Sequence, residues 1–261
     1  MSCRLPTILL YHHVVPETRS DTLLEPTTVA LSAFAEQLDA LAADGWQFVT
    51  LEDMLARLCA DDQAPPDDAF PELAVTFDDG YASLLDAWPV LARRRIPATV
   101  FVLTELLGQS NLWNAKAFSV ERHLSLDELA ALAAEGLGLE FHGTDHQRLT
   151  KLASDEVERR FARGQDFFAR HLGRPAHAIA YPYGAFNAEV LALVQRYFAF
   201  GLAVDRGEWA GRAVRHRLNR VEVQDFMTPD VLVRLLALDK RLRPRFLQET
   251  RARLRLERLP P

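Results

Sequence analysis

The sequence predicts an α/β fold: a distorted (β/α) barrel with about seven parallel strands in a single domain. Three observations lead there. Short β-branched or aromatic runs alternate with amphipathic stretches along the chain, as the strand–helix pairs of a parallel sheet do. The 261 residues, 49% hydrophobic, suffice for one full core, and no linker divides them. Carboxylate and imidazole side chains directly follow several apolar runs, at the strand ends where barrels assemble their active groups.

Thr7–Tyr11 is the first expected strand. Ser32 is expected to cap a helix with Phe34, Leu38 and Leu41 on one face, closed by Gly45. Gln47–Thr50 is a second strand, followed by a helix through Leu51, Leu55 and Leu58. The stretch from Asp61 to Glu72, with five carboxylates and three prolines, reads as a solvated loop. Leu73–Phe77 and Ala98–Leu103 are strands flanking a helix over Leu84–Arg95. Ser125 and Glu128 form a capping box that opens an alanine-rich helix ending at Gly136. Leu137–Phe141 is a strand, and a long helix over Ser154–Leu172 stops at Gly173 and Pro175. Ala178–Tyr181, a helix over Asn187–Arg196, Ala199–Val204 and Leu218–Val223 continue the alternation, and Pro229–Leu238 opens a closing helix. The domain is thus expected to span residues 1–240. The tail, 241–261, carries seven arginines against two glutamates and reads as a solvated basic end.

A formal net charge of -6 argues against a nucleic-acid binder, which normally presents a basic face. Cys3 and Cys59 form neither a CxxC nor a zinc-finger spacing, so a structural zinc site of that kind is not expected. The opening MSCRLPTILLYHHVVP has only a short apolar run, broken by Pro6 and two histidines. It is neither a signal peptide nor a membrane span, and the expectation is a cytoplasmic protein.

Two motifs carry chemistry. In Thr76-Phe77-Asp78-Asp79-Gly80-Tyr81, adjacent carboxylates directly follow an apolar strand, which is costly unless something uses their charge. Successive residues at a strand end point different ways, so one can bind a cation while the other faces substrate. An ordinary Asp-Gly turn is the competing reading. His142 and His146 follow another strand, at a spacing that brings two imidazoles onto one face of a helical turn. Two His and one Asp suit Zn²⁺ or a related divalent ion and leave positions open for water and substrate. The spare carboxylate would then serve as general base.

TFDDGY, the His-x-x-x-His pair and Ala180-Tyr181-Pro182-Tyr183-Gly184, in that order, resemble the polysaccharide deacetylase (NodB-homology) family. Ile96-Pro97-Ala98-Thr99-Val100-Phe101 matches that family too. Leu10-Tyr11-His12-His13-Val14 and Leu218-Asn219-Arg220-Val221 resemble the branch that includes poly-N-acetylglucosamine deacetylases. The resemblance implies a hydrolase that removes N-acetyl groups from an N-acetylated sugar or glycan, with one divalent ion, Zn²⁺ before Co²⁺ or Ni²⁺. It implies Asp79, His142 and His146 as ligands, Asp78 as general base and His12 as general acid, with Tyr183 lining the site. A same-superfamily hydrolase of small non-sugar amides and an inactive glycan-binding member remain the alternatives.

The chain departs from the family pattern in three places. Gly143 stands where Ser or Thr often follows the first ligand His, and Thr144 comes one position later. Ile179 and Ala180 occupy the region of an Arg that orients the base carboxylate. Arg220 is the candidate substitute, since a guanidinium clamps a carboxylate bidentately; an exposed strand residue is the other reading. Asp205–Trp209 resembles the family's Asp-x-x-Asp-Trp segment only loosely, with Glu208 in fourth place. Trp113, in a long loop, is a sugar-stacking candidate as well as a packing one. His13 is expected to point away from His12, and His123, His171, His177 and His216 read as surface or structural.

Overall fold

The computed structural model of the protein describes residues 7–17, 26–60, 72–112, 120–204 and 215–237. Trp113, Asp205–Trp209, the 241–261 tail and nearly all of the acidic loop lie outside the described residues. In chain order the elements are β1 (Thr7–Tyr11), β2 (His13–Val15), β3 (Thr28–Ala30), α1 (Leu31–Ala43), β4 (Gln47–Phe48), α2 (Leu51–Ala60), β5 (Glu72–Phe77) and α3 (Leu84–Arg94). There follow β6 (Ala98–Leu103), α4 (Leu126–Ala134), β7 (Gly138–Gly143), α5 (Ser154–Leu172), β8 (Ala178–Ala180), α6 (Ala188–Tyr197), β9 (Phe200–Ala203), β10 (Leu218–Asn219), β11 (Val221–Glu222) and α7 (Pro229–Ala237).

The main sheet runs β10-β9-β8-β7-β6-β5-β1-β11, and every pair along it is parallel. Its two edges are consecutive in sequence. β10 pairs with β9 and β11 with β1, and Arg220 alone separates them. The strand expected over Leu218–Val223 is therefore split at Arg220, because its two halves serve opposite edges. That split brings the sheet nearly to a closed barrel of seven staves. β4 adds to the start of β5, and β2 pairs with β3 as a separate parallel ribbon.

Strand alternation sorts side chains into two cores. Leu9, Tyr11, Val75, Phe77, Val100, Val102, Phe141 and Ile179 pack outward into the cluster that holds the helices. Ile8, Ala74, Phe101, Ala178, Ala180, Leu202 and Leu218 pack with Leu51, Met54 and Leu55 of α2 in a second cluster. Continuing that second face along β5 leads from Ala74 through buried Thr76 to Asp78, and along β7 through Glu140 to His142. The polar chemistry thus stands on the same strand faces as a dry apolar layer, at the C-terminal ends of the strands.

One local expectation changes. Ser32 does not cap α1: the helix starts at Leu31, and the Ser32 N–H donates to Glu17 Oε1 at 2.8 Å. A carboxylate beside the positive end of the helix dipole replaces the hydroxyl cap. The Ser125–Glu128 capping box, in contrast, is formed in both directions. The Tyr11 ring packs in the helix layer, and its hydroxyl donates to Gln37 Oε1 at 3.0 Å.

Candidate active site

Asp78 is fixed by β-sheet geometry. Its N–H donates to the Tyr11 carbonyl at 3.0 Å, so it stands level with His12 at the ends of the paired strands β1 and β5. Both carboxylate oxygens accept from Arg220, Oδ1 from Nη1 at 2.7 Å and Oδ2 from Nη2 at 2.6 Å. The Arg220 side chain is wholly buried and lies over the Phe101 ring at 5.2 Å. Of the two readings of Arg220, the clamp is the one found. Burial on its own would push the Asp78 carboxyl up, but Arg220 and His142 together hold it below the ordinary carboxylate value.

Asp79 is turned the other way by its backbone. Its φ is 66°, and that of Gly80 is also 66°, so two successive residues occupy the left-handed region. Asp79 Oδ1 reaches to 3.2 Å from His142 Nε2 and 3.3 Å from His146 Nε2. One ligand atom from each of the three residues lies within 4.8 Å of the others. His142 Nδ1 is 2.9 Å from the Ala180 carbonyl, which can only accept, so Nδ1 carries the proton and Nε2 offers a lone pair to the cluster. In the neutral ring that lone pair and the carboxylate oxygen facing it repel unless a proton or a cation lies between them. Asp79 Oδ1 is indeed buried without a hydrogen-bond partner. The donor set fits a divalent ion such as Zn²⁺.

The electrostatics of Asp79 and His146 suit such a site. Burial raises the Asp79 carboxyl, yet His146 and His142 bring it well below its ordinary value, so it is anionic. Burial lowers His146 to about 4, making it a neutral donor at pH 7. For His142 the neighbouring carboxylates outweigh burial and raise it. His12 follows β1 half-buried, within electrostatic reach of Asp78, Asp79 and His146.

His142 and His146 do not share a helical turn. His142 lies within β7, whereas His146 sits in the loop after it with φ 61°, and Gly143 between them has φ 113°. Their convergence is a property of this bent loop, which α5 supports. Arg160 Nη1 donates to Thr144 Oγ1 at 3.0 Å and to Asp145 Oδ1, while its Nε donates to Glu156 Oε1 at 2.7 Å. The hydroxyl one position late is therefore held from a helix. Tyr183 also has a left-handed φ, 60°, within the turn after β8. Its half-exposed ring lies 4.4 Å from that of His146, with the Arg148 guanidinium 4.6 Å over it.

Two residues near the site carry no sequence signal. Arg160 looks like any i,i+4 partner of Glu156 on a solvated helix. His123 is a single histidine in a loop, yet it is wholly buried and its Nδ1 lies 2.8 Å from the Asp79 backbone carbonyl. His13 does point elsewhere than His12; it is buried and stacks on Tyr81 with ring centroids 3.8 Å apart.

The sequence profile of the polysaccharide deacetylase family matches residues 67–198, just over half of the chain. That segment contains Asp78, Asp79, His142, His146 and Tyr183; His12 and Arg220 lie outside it. YxkH of Bacillus subtilis (strain 168) is 25% identical over 227 residues, 86% of this chain and 73% of its own. A poly-β-1,6-N-acetyl-D-glucosamine N-deacetylase of Staphylococcus aureus is 23% identical over 175 residues, 65% of this chain but only 58% of that protein. Among solved structures, the IcaB protein from Ammonifex degensii superposes with a TM-score of 0.71 at 26% identity, over 88% of this chain and 95% of that one. The Streptococcus pyogenes deacetylase PplD, in complex with acetate, shares the fold with a TM-score of 0.75 at 22% identity, over 89% and 98%. With the family's profile matched across the strand ends that carry the Asp pair and the His pair, the chain belongs to the polysaccharide deacetylase family.

Proposed function

We propose that the protein is a metal-dependent hydrolase that removes N-acetyl groups from an N-acetylated sugar or polysaccharide. The observation that carries this reading is the division of labour between adjacent aspartates. Asp78 is clamped and kept ionised by Arg220, while Asp79 is turned by its left-handed backbone toward His142 and His146. A divalent cation held by Asp79, His142 and His146, Zn²⁺ in preference to Co²⁺ or Ni²⁺, supplies Lewis acidity that polarises the acetyl carbonyl and acidifies a water.

In this reading the Asp78 carboxylate takes the proton of the attacking water, and Arg220 keeps it oriented and anionic until then. The water oxygen bonds to the acetyl carbon, and the C–N bond then breaks. His12 gives the departing nitrogen its proton, a task suited to an imidazole because its ordinary pKa lies near working pH. Acetate and a free amino sugar result. Tyr183 lines the mouth of the site for the sugar, and its backbone N–H is the candidate partner for the acyl oxygen as charge develops there. The S. aureus relative's name supports an N-acetylglucosamine polymer as the first substrate to try.

Acetate release from N-acetylglucosamine oligomers tests the proposal, with metal-loaded, chelated and Asp78→Asn protein compared. Release that needs metal and is abolished by Asp78→Asn is expected. If the metal-loaded wild type releases no acetate from any oligomer, the glucosamine-polymer assignment is wrong.

A further inference from the structure

The turn that aims Asp79 is strained, and one segment of the chain holds it. An L-residue in the left-handed region is disfavoured relative to its usual backbone, and it persists where its surroundings hold it there. Here the surroundings are Arg122–Leu124. The His123 ring takes the Asp79 carbonyl at 2.8 Å, the Leu124 N–H takes the Gly80 carbonyl at 2.8 Å, and the Ala82 N–H donates to the Arg122 carbonyl at 2.7 Å. Tyr81 and His123 form an isolated antiparallel bridge, and their rings stack with centroids 5.0 Å apart. The segment is itself tied down, because the Arg122 guanidinium forks onto both oxygens of Glu128 at 2.7 and 2.8 Å. Glu128 and Ser125 form the capping box of α4.

Of the three bonds that reach the turn itself, one comes from a side chain, that of His123. A carbonyl oxygen can only accept, so His123 Nδ1 carries the proton. We propose that His123 is a positioning residue for the metal centre: its Nδ1–H holds the Asp79 carbonyl and thereby the left-handed turn that points the Asp79 carboxylate at His142 and His146. It acts through the backbone of a ligand rather than on the ion or the substrate. The inference rests on the reading that the Asp79–His142–His146 cluster binds a divalent ion. The competing role is plain satisfaction of a buried carbonyl, which would matter for stability and not for the cation.

The two roles separate when donor position is varied. An Asn amide nitrogen falls near the place of imidazole Nδ1, whereas a Gln amide reaches toward the place of Nε2 and Leu donates nothing. Zn²⁺ affinity is measured by chelator competition on the purified full chain as wild type, His123→Asn, His123→Gln and His123→Leu, with the thermal midpoint of each metal-free protein. His123→Gln and His123→Leu should lose about 10–100-fold in Zn²⁺ affinity, the usual range for losing a group that orients a ligand, while His123→Asn stays near wild type. Equal affinity in all four proteins, or His123→Asn as weak as His123→Gln, overturns the inference. So does failure of both His123→Gln and His123→Leu to fold while His123→Asn folds, which would make the bond one of stability. A wild type that binds no Zn²⁺ overturns the metal-site reading itself, and is recognisable because it appears before any substitution.

Discussion

Asp78 and Arg220 show how much one buried ion pair depends on both partners. Each is almost fully removed from water, and neither charge is tolerable there alone. Arg220→Met should therefore destabilise the protein by about 3–5 kcal/mol, measured by denaturant unfolding, because it strands a buried carboxylate. Arg220→Lys keeps the charge but replaces two parallel donors with one point charge. It should fold better than Arg220→Met yet lower kcat/KM on the order of 10²-fold if Asp78 is the base proposed above, since a misplaced carboxylate no longer meets the water squarely. Wild-type kcat/KM in Arg220→Lys would mean that the fork geometry is irrelevant. Asp78, Asp79, His142 and His146 were legible at this scale because charged pairs directly after apolar strands are rare without a use. His123 was not legible, because its partner is a backbone carbonyl 44 residues earlier and a backbone carbonyl has no residue type.

The elements around the site carry their own tests. Ser125 is the N-cap of α4, and Ser125→Ala should cost about 1 kcal/mol in chemical denaturation. Glu128 ties that cap to Arg122, and the Arg122 hydrogen bonds, with the Ser125 N–H behind them, hold its carboxyl at about 2, below the ordinary 4.5. A depressed carboxyl stabilises the fold fully above its ordinary value, and the contribution is lost as pH falls from there through about 2. Wild type should thus exceed Glu128→Gln by roughly 0.5–1 kcal/mol at pH 7, a modest figure because the pair is partly solvated, and the gap should close at pH 2. A gap that persists at pH 2 would assign the effect to packing. In α5, a methyl on Gly164 would sit 2.4 Å from the Phe141 ring of β7. Gly164→Ala should cost about 1–3 kcal/mol despite the better helix propensity of Ala, read from the shift in denaturant midpoint at constant m.

At the scale of the whole molecule, the proposed ligands come from the turn after β5, from the end of β7 and from the loop that follows β7. A cation bound there would tie the ends of β5 and β7 together across β6, an arrangement the unfolded chain lacks. Zn²⁺ at about 100 times its Kd should stabilise the protein by about 2.7 kcal/mol, seen as a rise in thermal midpoint that a chelator reverses. The same titration on Asp79→Ala should show no rise; a rise of equal size there would move the metal elsewhere. Among the described residues no helix is long and apolar enough to cross a membrane.

Most strands and helices follow from the sequence because hydrophobic periodicity and caps are local. Thr7–Tyr11, Ala98–Leu103 and Ser154–Leu172 fall where the apolar pattern puts them, and the Ser125 capping box forms as its spacing requires. The identities of the Asp pair and the His pair were equally local. What only the tertiary structure decided is how distant pieces meet. Leu218–Val223 splits at Arg220 because barrel closure asks one short stretch to pair with β9 and β1 at once, which no periodicity encodes. That closure delivers a guanidinium to Asp78 from 142 residues away. The turn at Asp79 and Gly80 likewise takes its partners from His123 and Leu124, in the connection between β6 and α4. Pattern within a window of a few residues specifies elements, whereas backbone carbonyls, register and long-range ion pairs are settled only when the chain closes on itself.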